Sequence, residues 1–173
     1  ELTALKDLAA MAEQEMMSFQ LAMLDELTKI SNRRGFTTLA EKSLNICKRQ
    51  KLSAALIFFD LNKFKEINDR LGHAEGDRAL ITFADAMKTI FRESDVFARL
   101  GGDEFAVLLS NTKPDTAENS IARFQQEIDR VNQAENRGYN IEFSAGIVNV
   151  EGDDATIESL LHQADELMYK NKK

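Results

Sequence analysis

Cysteine is nearly absent: Cys47 is the one thiol in 173 residues. A single thiol excludes an internal disulfide and a thiolate metal cluster. It fits a reducing, cytoplasmic setting and reads most simply as a buried helical side chain. Proline is as scarce, with Pro114 alone. Long apolar runs are missing too. None approaches the roughly 20 residues of a membrane span, and no segment has the layout of a signal peptide, so membrane contact by this stretch is not expected. Positive charge is in deficit, with 22 Lys and Arg against 29 Asp and Glu and a formal net charge of −7. That balance disfavours nonspecific binding to nucleic acid or an anionic membrane, while leaving room for a local basic pocket. Repeats and low-complexity tracts are lacking as well. What remains is 43% hydrophobic, enough for a core in one domain with some chain to spare. The sequence opens on Glu1 and not Met, as expected of a segment from a longer parent, whose own relation to a membrane stays open.

The spare chain lies at the start. Leu2, Leu5, Ala9, Ala12, Met16, Phe19 and Met23 alternate spacings of three and four, an a/d seam at the lower edge of coiled-coil length. Residues 1–24 therefore read as a helical stalk that dimerises weakly and shifts between packings. The plainer alternative is an amphipathic helix packed on its own domain. In LDELTKISNRRGF, Asp25 and Asn32 read as turn or cap residues, ahead of a helix through Leu39, Ile46 and Cys47 to about Gln50. Ser53 to Leu61 is a continuous apolar run, hence a central strand buried on both faces. A short helix follows from about Phe64 to Arg70 with Ile67 and Leu71 on one side, and a longer one from about Gly76 to Phe91 with Leu80, Ala84 and Met87. Beyond Pro114, Ala117, Ile121, Phe124, Ile128 and Val131 mark another helix; Ile141, Phe143, Ala145 and Ile147 alternate as a strand. A last helix from about Thr156 is expected to bury Ile157, Leu160, Ala164 and Leu167. This order predicts an α/β (α+β) fold, with a central mixed, partly antiparallel sheet wrapped by helices in one layer or two.

Chemistry concentrates around ARLGGDEFAVLL (Ala98 to Leu109). Gly101-Gly102 signals a hairpin turn, and Asp103 would open its second arm. Asp60 ends the buried strand. If hairpin and strand pair, the two carboxylates meet and need a proton or a cation between them. Hard oxygen ligands without His or Cys point to Mg²⁺ or Mn²⁺, which usually also holds phosphate oxygens; the alternative is a pair of solvated strand ends. Between them, DLNKFKEINDRLGHAEGD places Lys63 and Lys65 in the first turns of a helix, a phosphate-binding arrangement. Asn68, and Asp77 after bends at Gly72 and Gly76, could read a guanine edge. A solvated lysine face and simple capping are the bland versions of both.

RLGGDEF, with FDLNKFKEINDRLGHAEGD before it and LDELTKISNRRGF further upstream, resembles the GGDEF domain of bacterial diguanylate cyclases. The match continues through FSAGIV and ADELMYKNK, covering roughly Asp25 to Lys172. It implies a domain over 25–173 with a fold like polymerase palms and class III nucleotide cyclases. The implied reaction is Mg²⁺-dependent (or Mn²⁺-dependent) condensation of two GTP into cyclic di-GMP and two pyrophosphates by a homodimer of GTP-loaded domains. Residue by residue, it implies that Asp60, the Leu61 backbone carbonyl and Asp103 bind two metal ions per site, with Glu104 beside them. Asp103 is also the proton acceptor. Asn68 and Asp77 would read guanine with His73 in the same pocket, and Gly101 and Gly102 would admit the nucleotide. Lys65 would offset transition-state charge, and Lys172 would lie near the γ-phosphate.

Two departures are visible. Asn62 stands where many members have Asp, and the chain stops at Lys173, where the family usually continues with a Gly-Arg-Asn stretch. A truncated, less active domain is the expectation. In FRESDVF, Arg92 and Asp95 resemble the family's RxxD site, at which cyclic di-GMP inhibits from a distance; an Arg–Asp pair closing a helix is the structural alternative. A catalytically silent receptor binding GTP or cyclic di-GMP is the rival function, and a cyclase making a mixed dinucleotide is a weaker one.

Overall fold

The computed structural model describes residues 1–150 and 155–172; Lys173, the end of the expected domain, lies outside them. In order, the elements are α1 (Leu2–Leu21), α2 (Arg33–Gln50), β1 (Ala54–Leu61), α3 (Phe64–Leu71), α4 (His73–Ile90), β2 (Val96–Gly101), β3 (Glu104–Ser110), α5 (Thr116–Glu135), β4 (Phe143–Asn149) and α6 (Ile157–Asn171).

β1 is central because its alternating side chains enter two different cores. Ala55, Ile57, Phe59 and Leu61 pack with α4 and α5, while Ala54, Leu56 and Phe58 pack with α2 and α6. β3 divides in the same way, with Phe105, Val107 and Leu109 on the first face and Ala106 and Leu108 on the second. A strand covered on both faces needs apolar side chains throughout, hence the unbroken runs. The helical layers therefore number two. The sheet order is β2-β3-β1-β4, and all three pairings are antiparallel. The parallel component of the expected mixed sheet is confined to an isolated bridge between Ser31 and Ala98.

Phenylalanines fix the α4–α5 side. Phe83 meets Phe105 with ring centroids 4.6 Å apart, and Phe59 meets Phe124 at 5.3 Å. Such tilted pairs add about 0.5–1.5 kcal/mol each beyond area burial.

Several local expectations need correcting. α4 begins at His73, so Gly76 lies within a helix and makes no bend. Gly72, at φ +90°, alone separates α3 from α4. Leu39 and Ile46 of α2 are exposed, and the buried stripe is Phe36, Ala40, Leu44 and Cys47. Leu71 and Leu167 are also exposed, and Met168 takes the expected core place of Leu167. In each case two apolar stripes compete on one helix, and the sheet selects one. Asp25 and Asn32 do act as turn and cap residues. The Asp25 carboxylate accepts from the Thr28 N–H and hydroxyl at 2.9 and 2.7 Å, and Asn32 accepts from the Gly35 N–H at 2.8 Å to cap α2.

α1 buries none of its residues. Leu2, Leu5, Leu8, Met16, Phe19 and Leu21 are all exposed along it, so the helix does not pack on its own domain.

β4 meets α6 through Gly146. A Cβ there would lie 2.5 Å from the Met168 nitrogen and closer still to the Ala164 carbonyl oxygen. Because those atoms are helix backbone, they cannot rotate away. Gly146→Ala is expected to cost about 1–3 kcal/mol, the usual range for overpacking, read as a lowered urea midpoint with unchanged slope.

Candidate active site at the hairpin turn

The β1–β3 register puts Asp60 opposite Glu104. The turn itself differs from the expectation by one residue. Gly101 pairs with Glu104, so the central turn residues are Gly102 and Asp103. Gly102 has φ +50°, the left-handed value that a two-residue hairpin demands and glycine accepts without cost. Asp103 therefore sits in the turn, and Glu104 opens β3. The Leu61 N–H donates to the Asp103 carbonyl at 3.1 Å, which ties the turn to the end of β1.

Asp103 and Asp60 lie close enough for each to act on the other. Burial first, then the charge of Asp60, push the Asp103 carboxyl up to about 6. Glu104 is also raised, by burial and by the charges of Asp165 and Asp60, with Arg33 pulling the other way. Asp60 Oδ2 accepts from Lys172 Nζ at 2.7 Å, while its Oδ1 is buried with no partner among the described residues. An orphaned carboxylate oxygen beside two more acids suits a hard divalent cation. Among the described residues, no three His, Cys, Asp or Glu side chains converge as a complete cage. A cation here would complete its shell from backbone, water and phosphate oxygens, as Mg²⁺ commonly does.

The other expected residues are placed as follows. Lys65 is exposed in the first turn of α3, and His73 is exposed as the first residue of α4. Asn68 lies against Gly76, whose missing Cβ admits its side-chain amide; Asp77 follows on α4 and is exposed. Gly76 thus brings the candidate guanine readers onto adjoining helices. Nothing lies within 4 Å of where a Cβ on Gly101 or Gly102 would be, so the turn is open on its outer side. Lys172 Nζ lies 2.7 Å from Asp60 Oδ2, at the same end of the sheet. Asn62 accepts from the Ser144 hydroxyl at 2.7 Å.

Arg92 and Asp95 close the connection from α4 to β2. Asp95 Oδ2 accepts from the Arg92 N–H at 2.9 Å, and Asp95 Oδ1 from Arg92 Nη2 at 3.2 Å. The Asp95 side chain is 3% exposed and that of Arg92 56%, so the carboxylate orients the guanidinium and the guanidinium faces outward. Arg33 and Asp165, which tune Glu104, went unnoticed in the sequence reading, as did Arg99, which bonds the turn. Arg33 lay inside a quoted motif, but only tertiary folding shows what it faces.

A family model described as diguanylate cyclase, GGDEF domain, matches residues 22–173. The diguanylate cyclase TpbB of Pseudomonas aeruginosa is 38% identical over 154 residues, 86% of this chain and 35% of TpbB. This chain spans less than half the length of curated relatives that it matches, 44% and 35% in two of them. The solved GGDEF domain of TpbB superposes with a TM-score of 0.77 at 35% identity, covering 86% of this chain and 88% of that one. A coiled coil plus GGDEF domain from DgcB of Caulobacter crescentus, solved with cyclic di-GMP, has a TM-score of 0.85 over 99% of this chain and 91% of its own; at 20% identity, it speaks for the fold alone. With the acidic turn, the sheet order and the matched span agreeing, the chain belongs to the GGDEF domain family of diguanylate cyclases.

Proposed function

We propose that this chain joins two GTP molecules into cyclic di-GMP, releasing two pyrophosphates, as a dimer of GTP-loaded domains. The observation that carries the reading is the Asp60–Asp103 pair, two carboxylates held together at an open hairpin turn beside a buried, unpartnered oxygen. Divalent cations bound there would polarise the α-phosphate and lower the pKa of a ribose 3′-hydroxyl. Asp60, the Leu61 carbonyl and Asp103 would hold them, with Glu104 alongside. Asp103 takes the 3′-hydroxyl proton as the oxygen attacks the α-phosphorus and pyrophosphate leaves. Asn68 and Asp77 orient the guanine, with His73 beside it. Lys65 offsets charge on the phosphates, and Lys172 moves from Asp60 to the γ-phosphate. One domain holds one GTP, so each 3′-oxygen attacks across a domain pair, and catalysis is chiefly positioning. The exposed apolar α1 would hold that pair. Arg92, oriented by Asp95, would bind product at a distance and hold the domains apart.

A silent domain that binds GTP or cyclic di-GMP, which shares most of these residues, is the alternative reading. Incubation with GTP and Mg²⁺, with the product identified by mass, separates the two readings.

Asp103→Asn is expected to abolish product formation and, in chelator, to stabilise the protein. The folded pKa of about 6 exceeds the unfolded value of about 3.9. The protonated Asp103 carboxyl therefore contributes stability that is full below about pH 4 and lost as pH rises through about 6. The variant should melt higher than the parent at pH 8, with the gap closing by pH 4. Equal melting curves at pH 8 would discard the close pair.

Specific activity should rise with protein concentration through the low-micromolar range, and removing residues 1–23 should shift that rise upward. A flat profile would argue against the dimer.

Arg92→Ala should abolish tight cyclic di-GMP binding in calorimetry and prolong turnover after product accumulates, with initial rate nearly unchanged. Equal affinities in parent and variant would leave Arg92 a helix-end residue.

A further inference from the structure

α4 begins without a cap. Gly72, at φ +90°, precedes it and brings no side chain to the free N–H groups of its first turn. Such an end frays unless something else holds it. The candidate guanine readers depend on this end, because Asp77 lies just past the first turn and Asn68 leans on Gly76 beside it. The hold comes through Glu75. Its Oε1 accepts from the Tyr139 hydroxyl at 3.0 Å, and its Oε2 accepts from Arg78 on the same helix at 3.4 Å. The Arg78 side chain is 63% exposed and that of Glu75 22%, so the Arg78 contact is open to screening and adds little. Tyr139 is half-buried, with its ring packed against the α4–α5 core. Burial, the bond to Glu75 and the Glu75 charge all raise the Tyr139 phenol, so the hydroxyl keeps the proton that it donates.

The connection that carries Tyr139, between α5 and β4, is itself pinned. Asn132 of α5 accepts through Oδ1 from the Ile141 N–H at 2.8 Å and donates through Nδ2 to the Ile141 carbonyl at 3.0 Å. Arg137, 9% exposed, donates from Nη2 to Thr82 Oγ1 at 2.7 Å. Thr82 follows Glu75 by seven residues on α4, a spacing that returns to the same helix face. The connection therefore grips one face of α4 at two points, and the second of them is in the uncapped first turn.

We infer that Tyr139 is a positioning residue that braces the start of α4 through Glu75 and so sets how selectively Asp77 and Asn68 read guanine. The inference rests on the proposed reading of those two side chains. A carboxylate accepts from guanine N1–H and the exocyclic amine together only when it lies in line with both donors. A first turn that opens carries Asp77 out of that line. The acids at the hairpin turn are untouched by such a movement, so its cost falls on binding and discrimination and not on the chemical step.

The test compares the full chain with Tyr139→Phe, Glu75→Ala and Glu75→Gln, supplied with GTP or with inosine triphosphate, which lacks the exocyclic amine. Tyr139→Phe keeps the ring in its core and removes one hydroxyl, which guards against a variant that merely fails to fold. The brace requires KM for GTP to rise about tenfold in Tyr139→Phe and Glu75→Ala, roughly what one bond to a charged acceptor supplies. It requires kcat at saturation to change little. KM for inosine triphosphate should rise about threefold or less, so the preference for GTP narrows. Glu75→Gln, which keeps an acceptor for the phenol, should retain most of the preference. Combining Tyr139→Phe with Glu75→Ala should add nothing further. Amide hydrogen exchange at Ala74 to Arg78 should accelerate about tenfold in the same two single variants, with β1 and β3 as unchanged controls. An unaltered ratio between the two nucleotides, losses that add in the double variant, or unmoved exchange at α4 would overturn the brace. Were the parent to make no cyclic di-GMP, the functional reading would fall, and the exchange measurements would still decide whether Tyr139 holds the start of α4.

Discussion

Two partly buried carboxylates meet at the end of the central strand, and the fold must hold them against their own repulsion. Burial and the charge of Asp60 together push the Asp103 carboxyl up to about 6. The force that keeps them together comes from elsewhere. β1 and β3 are pressed between two apolar cores along nearly their whole length, and their antiparallel register sets Asp60 against Glu104 with no freedom to slip. A shift of one residue would turn Phe59 and Phe105 out of their core and put Phe58 and Ala106 in their places. The energy of those phenylalanines is what confines the acids.

The surroundings of the pair are graded in charge. Lys172 neutralises Asp60 from the end of α6, Arg33 partly offsets Glu104, and Asp165 opposes it. The opposite side of the turn has no side chain, because glycine occupies two successive positions there. A negatively charged nucleotide approaching from that open side would need cations to cross the acidic rim, and the same rim attracts them. Arg99 adds a mechanical constraint to this electrostatic one, since the carbonyl it holds is the one immediately before Asp103.

The proposed pairing of two domains would account for an α1 that is apolar and unburied at the same time. Leu2, Leu5, Met16 and Phe19 have no cover within their own domain, and a second copy is the partner that the proposed reaction requires. A helix apolar on more than one face can be covered in more than one way, which suits regulation by repacking.

Much was legible in the sequence because it depends on local physics. The unbroken run from Ala54 to Phe59 announced a strand covered twice, the glycines announced a hairpin, and Asn32 announced a helix cap. Asp60 and Asp103 stood out at a strand end and a hairpin, and the spaced motifs identified the family. Other features depended on which surfaces meet. Leu39 or Phe36, and Leu167 or Met168, are equally apolar, and only the position of the sheet decided which of each pair is buried. The turn lies one residue further on, at Gly102-Asp103, because Gly101 pairs with Glu104 across β2 and β3 and the register shifts between Arg99 and Gly101. Arg33, Asp165 and Arg99 are ordinary charged residues in the chain. They acquire roles only where folding places them beside Glu104 and Gly102, because electrostatic and hydrogen-bond coupling depends on distances across the fold and not on sequence spacing.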